Sequence, residues 1–179
     1  MKTTVLYLTL AVAIYLSLKL EYNNAVIFKM TNAKCETFNK SWVLIYNCRL
    51  KAVRRHVTVL NINSTYLQPV NNLWVHAEMF KKANGYKPWL FNATVDACRF
   101  LRKPNNPIIS LIFNLFKEFT NINHPCPFYG PQLVEGFYLK PELLRLPLPT
   151  GEYLLEITWI FDNRPQYFTN VYFEFVEDL

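Results

Sequence analysis

The stretch Glu152-Tyr153-Leu154-Leu155-Glu156-Ile157-Thr158-Trp159-Ile160-Phe161 decides the fold. Tyr153, Leu155, Ile157, Trp159 and Phe161 recur at every second residue against Glu152, Glu156 and Thr158, the period-two pattern of a strand that buries one face. Pro149-Thr150-Gly151 announces this strand, and Asp162-Asn163-Arg164-Pro165 supplies turn residues after it. Val171, Phe173 and Phe175 resume the alternation, which predicts a C-terminal antiparallel hairpin.

Working outward, Leu73, Val75, Ala77 and Met79 alternate with Trp74, His76, Glu78 and Phe80 and give another strand with one strongly buried face. Weaker strand patterns cover 26–31, 42–51, 57–66, 89–95 and 133–140. The chain therefore reads as mainly β, an antiparallel β-sandwich or a β-cup. One segment departs from this pattern. Asn106 is a fair helix N-cap and Pro107 suits the first helical position. They start a short amphipathic helix over 107–119, with Ser110, Asn114 and Lys117 on a narrow polar stripe. Ile108, Ile109, Leu111, Ile112, Phe113, Leu115, Phe116 and Phe119 cover the rest. So wide an apolar surface predicts either burial on several sides or contact with something apolar that is not protein.

Cysteines and glycosylation sequons narrow the compartment. Cys35, Cys48, Cys98 and Cys126 form an even set, and Asn39-Lys40-Ser41, Asn63-Ser64-Thr65 and Asn92-Ala93-Thr94 each satisfy the acceptor rule. Disulfides persist in oxidising compartments, and a glycan-bearing asparagine must face solvent. Four cysteines permit three connectivities. Sequence proximity favours Cys35 with Cys48 and Cys98 with Cys126, each bridge contributing on the order of 3 kcal/mol. An outward Asn63 places Ile62 inward, with a bulge just before it that Val57 and Val59 agree with. An outward Asn92 places Phe91, Ala93 and Val95 inward and predicts that this strand bends or ends near Asp96, because Cys98 would otherwise face out. Asp96 itself reads as a turn cap or a partner for Arg99 or Arg102.

The N-terminus carries Lys2 and then an uncharged apolar run from Thr3 to Leu18. It reads as a signal peptide over residues 1–20, cleaved between 17 and 25, with an uncleaved anchor as the alternative. Nothing later is apolar enough to span a membrane. Residues 21–179 then form a single sandwich domain, large enough to bury about 70% of the surface its unfolded chain exposes. Four glycines against eleven prolines, with four Trp, eleven Tyr and fourteen Phe in the full sequence, make the chain rigid and aromatic-rich. The formal charge of +6, less the two charges of Lys2 and Lys19, leaves +4. Apart from Arg54-Arg55 and Lys81-Lys82 these charges are scattered, and no basic stripe points to nucleic acid.

No catalytic constellation is visible. There is no Gly-x-Ser-x-Gly elbow, no phosphate-cradling glycine loop and no His-Glu-x-x-His, and His56, His76 and His124 lack metal-ligand spacing. The reading is a non-enzyme with no cofactor and no metal.

Several signposts appear in order. They are Thr31-Asn32-Ala33-Lys34-Cys35, Cys48-Arg49-Leu50, Asn84-Gly85-Tyr86-Lys87-Pro88-Trp89-Leu90-Phe91-Asn92, Asp96-Ala97-Cys98-Arg99-Phe100-Leu101, Asn121-Ile122-Asn123-His124-Pro125-Cys126-Pro127 and Leu148-Pro149-Thr150-Gly151-Glu152-Tyr153. Together they resemble an insect family of secreted proteins, the DM8-type domain of unknown function. That family is similar to the CheB chemosensory proteins and more remotely to the ML lipid-recognition and ganglioside-activator proteins. Pro125 departs from the family's usual threonine. The resemblance implies an ML-like or immunoglobulin-like shell of two splayed sheets admitting an apolar ligand, with the helix near the mouth, and it implies no catalytic residues.

The expected function is a secreted, extracellular protein that binds or presents a lipid or other apolar small molecule, with a chemosensory cue as one possibility. The expected lining is Leu73, Val75, Phe113, Phe116, Leu155, Trp159 and Phe173, chosen from inward strand phases and the apolar helix. The alternative is an extracellular interaction module, a receptor accessory or matrix protein, whose core is solid. Filled and hollow sandwiches share the same alternation, so the sequence does not separate them.

Overall fold

The computed structural model describes residues 27–54, 57–139 and 148–177. The leader, and the question of its cleavage, lie outside them. The chain runs β1 (Ile27–Thr37), β2 (Val43–Arg54), β3 (Val57–Val70), β4 (Leu73–Ala83), β5 (Gly85–Asp96), α1 (Ala97–Arg102), α2 (Pro107–Phe116), one 3-10 turn (Lys117–Phe119), β6 (Phe128–Phe137), β7 (Gly151–Phe161) and β8 (Arg164–Val176). Two antiparallel sheets pack face to face as a β-sandwich. One has the order β1-β8-β7-β4-β5, the other β2-β3-β6.

The C-terminal hairpin forms where its turn residues predict it, with β7 pairing β8 from Gly151 opposite Phe175 to Phe161 opposite Arg164. Asp162 and Asn163 both adopt positive φ, +48° and +63°, the backbone that matches the twist of two adjoining strands in a two-residue hairpin. Asn and Asp tolerate that region because their short side chains bond locally.

Alternation sets the inner face. Across the larger sheet, Val75 stands opposite Trp159 and Val95, Ala77 opposite Ile157 and Ala93, and Met79 opposite Leu155. Asn63 and Asn92 are exposed, and Asn39 is half-buried. Ile62 points inward as expected, packed against the core, but the bulge is not where the sequence suggested. β3 stays in register with β2 through Leu60, Asn61 and Ile62, so Leu60 and Ile62 share the inner face. Val59 stands opposite Lys51, on the face that carries Asn61 and Asn63. The extra residue sits on β6, where Ile62 opposite Val134 gives way to Leu60 opposite Phe137. Gly136, at φ +63°, supplies a conformation there that a side chain would resist.

Strand β5 ends at Asp96, as the position of Cys98 requires. Helix α1 begins directly after it, an element that strand alternation does not announce. Asp96 is its N-cap, accepting from the Arg99 amide at 2.8 Å. Of the two roles open to Asp96, the cap is the one formed. Asn106 likewise accepts from the Ile109 amide at 3.2 Å and starts α2. Both disulfides are those favoured by proximity, Cys35–Cys48 and Cys98–Cys126.

Candidate functional site: an apolar waist between two packed ends

The core divides into two clusters. One gathers Met30, Leu60, Met79, Leu148, Tyr153, Val171, Phe173 and Phe175. The other gathers Val43, Tyr66, Val70, Leu73, Cys98, Phe128, Phe161 and Tyr167. Each fully buried aliphatic or aromatic side chain contributes about 1.5–3 kcal/mol over its exposed state, so both ends are strongly held. Ring packing reinforces them. Tyr153 stacks on Phe173 with centroids 5.3 Å apart, and Tyr66 meets Phe161 at 4.8 Å.

Between the ends the inner face changes character. Val75, Ala77, Ala93, Val95 and Ile157 belong to neither cluster and are only half-buried. Leu155 and Trp159, also half-buried, touch one cluster each. In a filled sandwich the mid-strand inner residues are the most deeply covered, since facing side chains interdigitate there. On β4 and β7 they are less covered than the inner residues at either end, whereas on β8 the inner Thr169, opposite Ile157, is buried. The inner run of β4 and β7 from Leu73 to Met79 and from Leu155 to Phe161 carries no charge.

The two sheets are tied along one flank. Cys35 on β1 is bonded to Cys48 on β2. The hydroxyls of Tyr66 on β3 and Tyr167 on β8 lie 2.7 Å apart in a hydrogen bond across the interior. Burial raises the pKa of both phenols above the ordinary value, and for Tyr167 the neighbouring Tyr66 raises it further. The opposite flank, where β4 and β5 face the β6 side, is closed by the helical segment and by the Cys98–Cys126 disulfide, which ties α1 after β5 to the residues just before β6. Phe113 packs on Phe100 of α1 at 5.6 Å and on Phe116 at 5.3 Å, while Phe119 reaches Phe137 at 5.5 Å. Thr120 then bridges to Val134 and its hydroxyl donates to the Leu133 carbonyl, fastening the segment to the edge of β6.

The seven expected lining residues therefore separate. Val75, Leu155 and Trp159 lie on the waist, and Trp159 is oriented by a 3.3 Å bond from its Nε1 to the buried Thr169 hydroxyl. Phe113 and Phe116 are half-buried on α2 beside α1. Leu73 and Phe173, at 0% and 5% exposure, belong to the packed ends and present no surface to a guest. Ala77, Ala93, Val95 and Ile157 join the waist although the expected lining did not include them; the strand phases alone place Ala93 and Val95 inward.

Chemistry at this site is limited to desolvation and shape. The waist side chains are hydrocarbon apart from the Trp159 indole. His76 bonds Thr94 at 2.9 Å, on the strand positions alternate to Val75 and Ala77, and His124 bonds the Pro125 carbonyl and packs on Phe128. Among the described residues, no group of three or more His, Cys, Asp or Glu is placed to hold a metal ion, and no helix is long and apolar enough to cross a membrane.

Fold and site define a class: a disulfide-bonded antiparallel β-sandwich whose apolar inner face is half-buried at the middle of β4, β5 and β7. Within it, residues 75–155 match a family described as a protein of unknown function (DUF1091). The matched segment carries β4 from Val75, β5, both helices, β6 and the first part of β7, and so includes the flank that the helical segment closes. No curated protein matches the chain.

Proposed function

We propose that this protein is a secreted, non-enzymatic carrier or presenter of an elongated apolar molecule, a lipid or hydrocarbon, held between its two sheets. The observation that carries this reading is the half-buried, uncharged waist between two fully packed ends. Each methylene removed from water onto such a surface contributes about 0.8 kcal/mol, and the guest would supply the contacts that the facing sheet does not. The sequence resemblance to lipid-recognition proteins supports the same class of ligand, and a chemosensory cue is one member of that class. Two disulfides and three sequons support an extracellular setting.

Native mass spectrometry of the protein collected from a eukaryotic secretory host tests the reading. A stoichiometric apolar passenger, displaced by a fluorescent fatty acid, is the expected result. A ligand-free mass with no uptake of the probe would overturn it and favour the solid-core interaction module.

A further inference from the structure

The outer face of the smaller sheet carries a groove of about 590 Å³ lined by polar and apolar residues, among them Asn47, Arg49, Lys51, Asn61, Leu133 and Glu135. Asn63 also lines it. It lies on β3, the middle strand, directly opposite Asn47 on β2 and Leu133 on β6. The β2 register slips between Ile45 and Asn47. Tyr46, the residue inside that slip, is 63% exposed. We infer that this groove seats the first sugars of a glycan carried by Asn63, so that this glycan lies along the sheet.

The chemistry matches at each point. An N-acetylglucosamine offers hydroxyls and an acetamide. Arg49, Lys51 and the side-chain amide of Asn47 can donate to its oxygens, and the Glu135 carboxylate can accept from its hydroxyls. Half-buried Leu133 in the lining gives its apolar ring face a surface. Asn61 already has its Oδ1 committed to the Gly136 amide at 2.9 Å, which fixes its side chain in the groove wall. The volume falls in the range of small-molecule sites. The other two sequons sit differently. Asn92 is on edge strand β5 opposite Glu78, with a neighbouring strand on one side only. Asn39 uses its Oδ1 in the β1–β2 turn, accepting from the Ser41 amide and hydroxyl at 3.1 and 2.7 Å.

The inference rests on the secretory part of the proposed function and not on the apolar ligand. The covalent step is the cell's: a transferase bonds Asn63 Nδ2 to C1 of the first sugar, a proton is lost, and the lipid pyrophosphate of the sugar donor leaves.

The test is site-resolved glycopeptide mass spectrometry of the full chain from the medium of a eukaryotic host, with endoglycosidase digestion before and after denaturation. The Thr65→Val variant identifies the Asn63 glycan. The expected result is an Asn63 glycan released from folded protein about tenfold more slowly than that of Asn92, the protection that one or two hydrogen bonds to protein provide. Denaturation should abolish the difference, and Arg49→Ala combined with Asn47→Ala should reduce it in the folded chain. Equal release rates in the folded wild type, or a secreted chain with Asn63 bare, would overturn the inference and leave the secretory reading intact. A chain kept inside the cell with all three asparagines bare would overturn both.

Discussion

The two flanks of this sandwich are built from the same alternating strands and close by different means. Along β1, β8, β2 and β3 the sheets are joined by a disulfide, a buried phenol pair and the packing of the Tyr66 ring on Phe161. Along β4, β5 and β6 they are linked by the Cys98–Cys126 bridge and spanned by a helical segment whose described Ile, Leu and Phe side chains from 109 to 119 are all half-buried. The difference teaches that period-two alternation specifies which side of a strand is apolar, while the partner opposite decides whether that side is filled.

Perturbations should therefore act unequally on the two flanks. The largest stability loss is expected at the packed ends. Phe161→Ala removes a fully buried ring that touches Trp42, Tyr66 and Tyr167 and should cost about 3–5 kcal/mol in denaturant unfolding. A loss below ~1 kcal/mol would mean that the ends are not closed.

Next comes the covalent tie. Replacing Cys35 and Cys48 together by Ser opens a link of sequence separation 13 and should lower stability by about 3 kcal/mol. The chain-length preference for a bound apolar probe should broaden, because the sheets then lose their only covalent joint on that flank among the described residues.

The phenol pair gives a smaller effect with a pH signature. Tyr66→Phe leaves the Tyr167 hydroxyl without its buried partner and should cost about 1–3 kcal/mol. Both phenols have folded pKa values raised above the ordinary 10.0. Their contribution is thus fully present below pH ~10 and declines above it, as the unfolded tyrosines ionise while the folded ones stay neutral. Unfolding free energy should fall above pH ~10 by about 1.4 kcal/mol per pH unit for each of the two. Tyr66→Phe should remove one of those slopes, and an unchanged alkaline limb in the variant would count against the pair.

The smallest stability change, and the sharpest functional one, is expected at the waist. Ala77→Phe adds a ring to the waist. In a filled core such over-packing costs about 1–3 kcal/mol. With room at the waist the cost should stay below ~1 kcal/mol while uptake of a fluorescent fatty acid is abolished. Full uptake by a stable Ala77→Phe protein would place the ligand elsewhere.

Much of this architecture is legible from residues alone. Strand phases around Trp159 and Met79, the hairpin turn at Asp162-Asn163, the Asn106 cap and both cysteine pairs obey local rules that operate within a few residues or along one chain segment. The β6 bulge is not legible, because a bulge is a relation between two strands: Asn61 looks irregular in its own sequence, yet the extra residue lies beside Gly136 on the neighbouring strand. Helix α1 is hidden in a run that begins with a strand and holds only six residues, too few for helical periodicity, although Asp96 three residues before Arg99 is its signal. The separation of Leu73 and Phe173 from Val75 and Trp159 is invisible for a further reason. All four are inward and apolar, and only the opposing sheet, absent from any one strand's pattern, distinguishes a plug from a wall.

For a guest held at the waist, those plugs would act as a measuring device. From Leu73 to Met79 the inner face of β4 advances six residues, roughly 20 Å at the rise of an extended strand, and both limits are buried. A guest lying parallel to the strands would meet a stop at either extremity. Its admissible length would thus be gauged by backbone geometry, while tolerance in girth would be left to the side that the helical segment spans.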